Sequence, residues 1–115
     1  MEAGQALSSP LGRITIASEA IAQIVAETAL ECYGVVGMKA PLRGRLARRS
    51  TRGIEISRDG DDVTIDLHVV VAYGLNLAEV ASTVRNRVAY EVERLAGLPV
   101  RAIEVHVDDV RPAGP

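Results

Sequence analysis

Three stretches of the chain alternate apolar and polar residues, the pattern of half-buried β-strands. The longest, residues 62–72, places five aliphatic residues on one side of the strand: Val63, Ile65, Leu67, Val69 and Val71. Residues 54–59 alternate as well, and the sequence RDGDD separates the two stretches, so we predict a β-hairpin. The third stretch, residues 100–110, predicts a final strand.

Two further stretches repeat apolar residues at helical spacing. The first follows a short predicted strand at residues 13–16, and Ser18 is its predicted N-cap. The second begins at Asn76, with Glu79 three residues later as in a capping box, and Gly97 ends it. Its predicted apolar stripe consists of Leu77, Val80, Ala81, Val84, Val88, Val92 and Leu95.

With residues 35–38 as a further short strand, the predicted order is β-α-β-β-β-α-β. The alternating strands need cover on one face, and the two amphipathic helices supply it. We therefore predict an α+β, two-layer sandwich with a small mixed or antiparallel sheet and both helices on one face. Residues 12–110 form the single domain, with residues 1–11 as a disordered N-terminal tail and residues 111–115 as a C-terminal tail.

The positive charge of the chain is concentrated in residues 39–53, a stretch without carboxylates that contains Lys39, Arg43, Arg45, Arg48, Arg49 and Arg52. The remaining seven Lys and Arg residues accompany 15 Asp and Glu residues, a net charge of −8, against −2 for the whole chain. Pro41 and two glycines predict a long, mobile basic loop. The pattern alone leaves open a protein, nucleic-acid or membrane contact, or a solvated connector.

The polar side of the predicted strands holds the only candidate metal ligands, which are Asp66, His68, Glu104, His106 and Asp108. If the strands pair, these side chains share one face and could bind a divalent metal. Any half-exposed strand shows the same spacing, however, so we predict surface histidines and no metal. Cys32 is predicted to be buried, and no nucleophile lies beside a base in the sequence. We therefore predict no catalytic residues, no cofactor and no enzymatic activity.

Val70 breaks the alternation, because it is an apolar residue on the polar side of its strand. A partly exposed valine is the simplest interpretation. The alternative is a valine covered by a second chain or by the basic loop, and we expect a weak homo-oligomer on this ground. Val70 and the six basic residues of the loop are the predicted partner-binding residues.

Three motifs in order resemble the bacterial alkaline shock protein (Gls24-type) envelope stress response family. They are GRITI leading into a helix that ends in GVVG, then VVVAYGLNLAEVA, and finally GLPVRAIEVHV, within residues 12–110. The resemblance implies a cytoplasmic, non-enzymatic protein of cell-envelope homeostasis that acts as a scaffold or protein-interaction module. Some members reach the membrane through a membrane-embedded partner protein. The arginine content of residues 39–52 is higher than the family leads us to expect.

The alternative function is binding of nucleic acid or an anionic membrane surface through the arginine-rich loop. The acidic remainder of the chain opposes nucleic-acid binding, and so does an aromatic content of three tyrosines without Phe or Trp. The N-terminal residues show no signal peptide, and no stretch is apolar enough to span a bilayer.

Overall fold

The computed structural model describes residues 4–39 and 53–112. In chain order these residues form β1 (Gly4–Ser9), β2 (Gly12–Ala17), α1 (Ser18–Glu31), β3 (Val35–Met38), β4 (Ile54–Asp59), β5 (Asp62–Ala72), α2 (Leu77–Ala96) and β6 (Val100–Arg111). From β2 onward the order is the predicted β-α-β-β-β-α-β, and the α+β class is confirmed.

Strand β5 is the centre of a mixed four-stranded sheet. Along one edge, its first half pairs antiparallel with β4 and its last residues pair antiparallel with β3. Along the other edge, it pairs with β6 in parallel. Parallel neighbours need a crossover connection, which here is α2. The β4–β5 hairpin closes through a two-residue turn at Gly60 and Asp61, as the turn sequence predicts.

The core lies between the sheet and the two helices, which cover the same face. The inward residues of β5 are fully buried, and they pack with the buried sides of α1 and α2 in one hydrophobic cluster. Helix α2 contributes a residue at every fourth position, namely Val80, Val84, Val88, Val92 and Ala96. The predicted stripe is therefore wrong at its ends: Leu77 and Leu95 are exposed, and Leu95 retains 55% of its accessible surface.

The start of α2 follows the prediction, whereas the start of α1 does not. The side chain of Asn76 accepts a hydrogen bond from the backbone N–H of Glu79 at 3.0 Å, and Gly97 ends the helix with a φ of 72°. In α1 the N-cap is Ala17, which makes no side-chain cap bond, and Ser18 is already the first helical residue. The cap is displaced because β2 runs into α1 without an intervening loop.

Strand β1 lies where the sequence predicts a disordered tail. Gly4–Ser9 pairs antiparallel with β2 through a two-residue turn at Pro10 and Leu11, forming a separate two-stranded sheet. Residues such as Gly, Gln, Ala and Ser have little intrinsic preference for strands, so the pairing with β2 determines the strand. The Nη2 of Arg58 on β4 donates to the carbonyl of Ile16 at 2.7 Å, which ties the hairpin to the main sheet.

The two end residues of the basic stretch, Lys39 and Gly53, are held at one point of β5. The N–H of Lys39 donates to the carbonyl of His68 at 3.3 Å, and the N–H of His68 donates to the carbonyl of Gly53 at 2.9 Å. Gly53 has a φ of 81°, and a Cβ there would lie 2.8 Å from the Lys39 carbonyl oxygen. This close approach requires glycine. The basic stretch therefore leaves and rejoins the described fold beside His68.

Candidate functional site

The face of the sheet opposite the helices, which we call the open face, brings the predicted polar residues together. In the parallel pairing of β5 with β6, Asp66 is opposite Glu104 and His68 is opposite His106. The neighbouring residues Ile103, Val105 and Val107 pack against the core, so the polar residues between them face away from it. The pairing of β5 with β6 brings the two histidines and the carboxylates together. The alternation of apolar and polar residues along each strand does not determine this pairing.

Each histidine of the open face is paired with a carboxylate. His68 Nδ1 lies 2.7 Å from Asp108 Oδ2, and His106 Nε2 lies 3.2 Å from Asp66 Oδ1 and 3.8 Å from Glu104 Oε1. The imidazole rings of His68 and His106 stack, with centroids 4.5 Å apart and planes inclined by 12°. Asp66, Glu104 and His106 offer ligand atoms that all lie within 4.8 Å of one another. The arrangement can accept protons or hold a cation.

Of the predicted partner-binding residues, Lys39 is described and half-buried, and its Nζ lies 3.7 Å from Asp109 Oδ2. Five others lie outside the described residues: Arg43, Arg45, Arg48, Arg49 and Arg52. Their predicted role stays a prediction.

Val70 is fully buried, with 0% of its surface exposed, so the expectation of a partly exposed valine is wrong. It lies opposite Gly37 on β3 and Asp109 on β6, away from the hydrophobic cluster under the helices. Val69 and Val71 are buried on the other face, so both sides of the sheet are dry at this point. The apolar run Val69–Ala72 was the available signal, because continuous apolar strands are typical of sheets covered on both faces. In this conformation Val70 offers a partner no accessible surface.

Sequence reasoning missed the position of the tyrosines. The chain has three aromatic residues, Tyr33, Tyr73 and Tyr90, and all are exposed, by 82%, 76% and 63% of their surface. Tyr33 and Tyr73 are brought to one end of the sheet, because the residues beside them are joined by a 2.8 Å hydrogen bond from Ala72 N to Gly34 O. Val36 and Leu77 are exposed at the same end, and we call these four residues the end patch.

Two ionisable side chains are perturbed by burial. Desolvation raises the pKa of the Cys32 thiol, an effect that Arg87 partly opposes, and the thiol lies 3.4 Å from the Thr28 carbonyl. The predicted burial of Cys32 is confirmed. Desolvation also lowers the pKa of Arg58, whose Nε and Nη1 are buried without a hydrogen-bond partner among the described residues. In both cases burial is the largest cause of the pKa shift.

The model of the alkaline shock protein 23 family, described as having a cell envelope-related function, matches residues 6–112. The chain belongs to this family. The match covers nearly all of the described fold, including most of strand β1, which the sequence-based prediction left out. Membership confirms the resemblance carried by the three motifs and associates the chain with the cell envelope.

Similar proteins of the family occur in Bacillus subtilis. The uncharacterized protein YloU of Bacillus subtilis is 34% identical over 116 residues, which span 95% of this chain and 97% of YloU. The uncharacterized protein YqhY of the same organism is 26% identical over 102 residues, spanning 84% of this chain and 76% of YqhY. This chain therefore corresponds to most of the length of each relative.

Solved structures of the MamM CTD have a similar fold. A variant in a zinc form superimposes with a TM-score of 0.59 at 17% identity, covering 84% of this chain and 89% of that one. A variant in a nickel form gives a TM-score of 0.57 at 17% identity, covering 79% and 96%. At this identity the likeness concerns the fold alone. Among the described residues of this chain, no helix combines the length and the apolarity needed to cross a membrane.

Proposed function

We propose that the chain is a non-enzymatic protein-interaction module of cell-envelope homeostasis, held near the membrane in the cytoplasm by a membrane-embedded partner protein. The family's cell envelope-related function supports the setting. The observation that carries the interaction role is the exposure of all three tyrosines, two of them in the end patch. Aromatic side chains are enriched at protein interfaces and among the residues that dominate binding energy.

The end patch suits a short segment of a partner protein. Tyr33 and Tyr73 are each next in the chain to a residue of the Ala72–Gly34 hydrogen bond, and a shallow depression runs from Tyr33 to Val80 and Thr83 at the start of α2. The rings supply apolar area, and their hydroxyl groups can hydrogen-bond to the partner backbone. The backbone beneath is fixed by the sheet, so little order has to be created on binding.

The test uses the third tyrosine as a matched control. Tyr33→Ser with Tyr73→Ser removes both rings of the end patch, whereas Tyr90→Ser removes a third exposed ring, which lies on α2. The tagged variants are used to recover bound proteins from detergent-solubilised membranes, quantified by mass spectrometry. We expect the double variant to lose a membrane protein that the wild type and Tyr90→Ser retain, at a cost of about 2 kcal/mol or more. Equal recovery by all three proteins would contradict the proposal.

The basic stretch supports a second candidate function, contact with an anionic partner surface. The observation that favours this function is the concentration of positive charge in this stretch of an otherwise acidic chain. Replacing Arg43, Arg45, Arg48, Arg49 and Arg52 by Ser should leave the melting temperature within a few degrees, since exposed charges contribute under about 1 kcal/mol each. Binding to anionic vesicles or an acidic protein should weaken, most visibly at low salt.

The same arginine variant separates the alternatives. Loss of affinity for DNA or RNA, with vesicle and protein binding unchanged, would favour nucleic-acid binding, and the salt dependence of the wild type would then be steep. A variant that unfolds would show that the arginines are structural. A weak homo-oligomer also stays a prediction, and light scattering over a concentration series checks it.

A further inference from the structure

We propose that Asp66, Glu104 and His106 on the open face form a binding site for a divalent transition-metal cation of the Zn²⁺ type. The three side chains come from the paired strands β5 and β6, and their ligand atoms all lie within 4.8 Å of one another. The proposal departs from the sequence-based prediction of no metal. That prediction was made without knowing the register between β5 and β6.

The first argument is electrostatic. Asp66 and Glu104 occupy directly opposite positions on neighbouring strands, and like charges in such pairs destabilise a sheet. Glu55 on β4 lies opposite Asp66 on the other side and extends the row to three strands. A divalent cation between Asp66 and Glu104 would balance their formal charges and convert this repulsion into attraction.

The second argument is geometric. His106 Nε2 lies 3.2 Å from Asp66 Oδ1 and 3.8 Å from Glu104 Oε1. Two ligands about 2.0–2.1 Å from a tetrahedral Zn²⁺ are roughly 3.3–3.4 Å apart, so these separations need only small side-chain rotations. All three side chains belong to strands of the sheet, which fixes their Cα positions. The three side chains are also partly exposed, which leaves room for water as a fourth ligand.

The third argument concerns the residues around the ligands. The His68 ring stacks on the His106 ring at 4.5 Å, and Asp108 holds the His68 ring through the 2.7 Å contact to Nδ1. His106 is therefore oriented from one side by a ring that is itself fixed. Such outer partners fix the ligand geometry of metal sites. In this arrangement His68 and Asp108 position His106 and do not bind the metal.

The mixed ligand set indicates the class of metal. One imidazole nitrogen with two carboxylates suits Zn²⁺ and neighbouring transition metals, whereas Mg²⁺ and Ca²⁺ prefer oxygen alone.

The test is calorimetric titration of the folded protein with ZnCl₂ near neutral pH, with MgCl₂ as the comparison metal. We expect one equivalent of Zn²⁺ to bind and Mg²⁺ to give no comparable heat. His106→Ala and Asp66→Asn should each weaken Zn²⁺ binding at least about tenfold. Asp109→Asn is the matched control, because Asp109 is also a β6 carboxylate but pairs with Lys39, and it should bind Zn²⁺ like the wild type.

Three outcomes would overturn the proposal: no Zn²⁺ binding by the wild type, unchanged binding by His106→Ala, or equal losses in Asp109→Asn and Asp66→Asn. Circular dichroism of the metal-free variants checks that they fold. If His106→Ala does not fold, NMR of the wild-type imidazole nitrogens decides. Zn²⁺ must then shift His106 Nε2 strongly and the nitrogens of His68 less, and the reverse order would contradict the assignment.

Discussion

The two faces of strand β5 differ in chemistry although their residues alternate along one chain segment. On the helix-covered face, Val63, Ile65, Leu67, Val69 and Val71 are fully buried and carry no polar side-chain atoms. On the open face, Thr64, Asp66 and His68 are half-buried, Asp66 contacts His106 and His68 contacts Asp108, and Val70 and Ala72 are buried. The covered face stabilises the fold through its buried apolar residues, whereas residues of the open face can be substituted with less effect on stability and are available for binding. The difference predicts that equally placed substitutions on the two faces have very different costs.

The largest effect is expected for Leu67→Ala on the covered face. Leu67 is fully buried in the cluster between the sheet and both helices, so truncation removes apolar contacts and leaves a cavity. We expect a loss of about 2–5 kcal/mol in the free energy of unfolding, measured by urea denaturation. A loss below about 1 kcal/mol would mean that the covered face is loosely packed and the comparison of the faces fails.

Val70→Thr tests a dry position of the open face. The substitution keeps the shape of the side chain but buries a hydroxyl group, which costs about 1–3 kcal/mol when no partner is found. Thr64→Val makes the reverse change at a half-buried position of the same face and should be nearly neutral. Equal urea midpoints for both variants would show that Val70 is accessible to water in solution, contrary to its burial in the structure.

The covered face could be predicted from the sequence, and the open face only in part. Burial of one side of an element makes apolar residues recur every two residues in a strand and about every 3.6 residues in a helix. The core strand, both helices and the cap at Asn76 could therefore be predicted from the sequence. The pairing of His68 with His106 depends on the register between β5 and β6. The α2 crossover sets this register, and no local sequence pattern predicts it. Strand β1 was missed because its stability comes from β2 and not from its own residues. The tyrosines were missed because aromatic residues are as readily buried as exposed.

The titratable thiol of Cys32 tests whether water reaches the buried side of the helices. Burial raises the pKa of the folded-state thiol above its ordinary value near 9.0, so the unfolded chain loses its proton first as the pH rises. The stability that the buried, protonated Cys32 thiol contributes is therefore fully present below the unfolded-state pKa near 9.0. It is lost as the pH rises through the higher folded-state pKa. Urea midpoints of the wild type should fall more steeply than those of Cys32→Ala above about pH 9. Parallel curves, or rapid alkylation of the native thiol near neutral pH, would show that water reaches the buried side of the helices.

The smallest effect is expected for Asp108→Asn on the open face. The change keeps the shape of the side chain and removes the charge that faces His68 Nδ1 at 2.7 Å. Partly exposed ion pairs contribute about 0–1 kcal/mol, so the free energy of unfolding should change by less than about 1 kcal/mol, well below the loss in Leu67→Ala.

The control for Asp108→Asn is Asp109→Asn, which removes the neighbouring charge that faces Lys39 at 3.7 Å. Both variants are measured by urea denaturation in metal-free buffer, so that cation binding does not contribute. Similar small losses in the two variants would fit an open face that contributes little to folding. A loss above about 2 kcal/mol confined to Asp108→Asn would show that the Asp108–His68 contact holds β6 in register. The open face would then be a structural network, and the contrast between the two faces of β5 would no longer separate stability from binding.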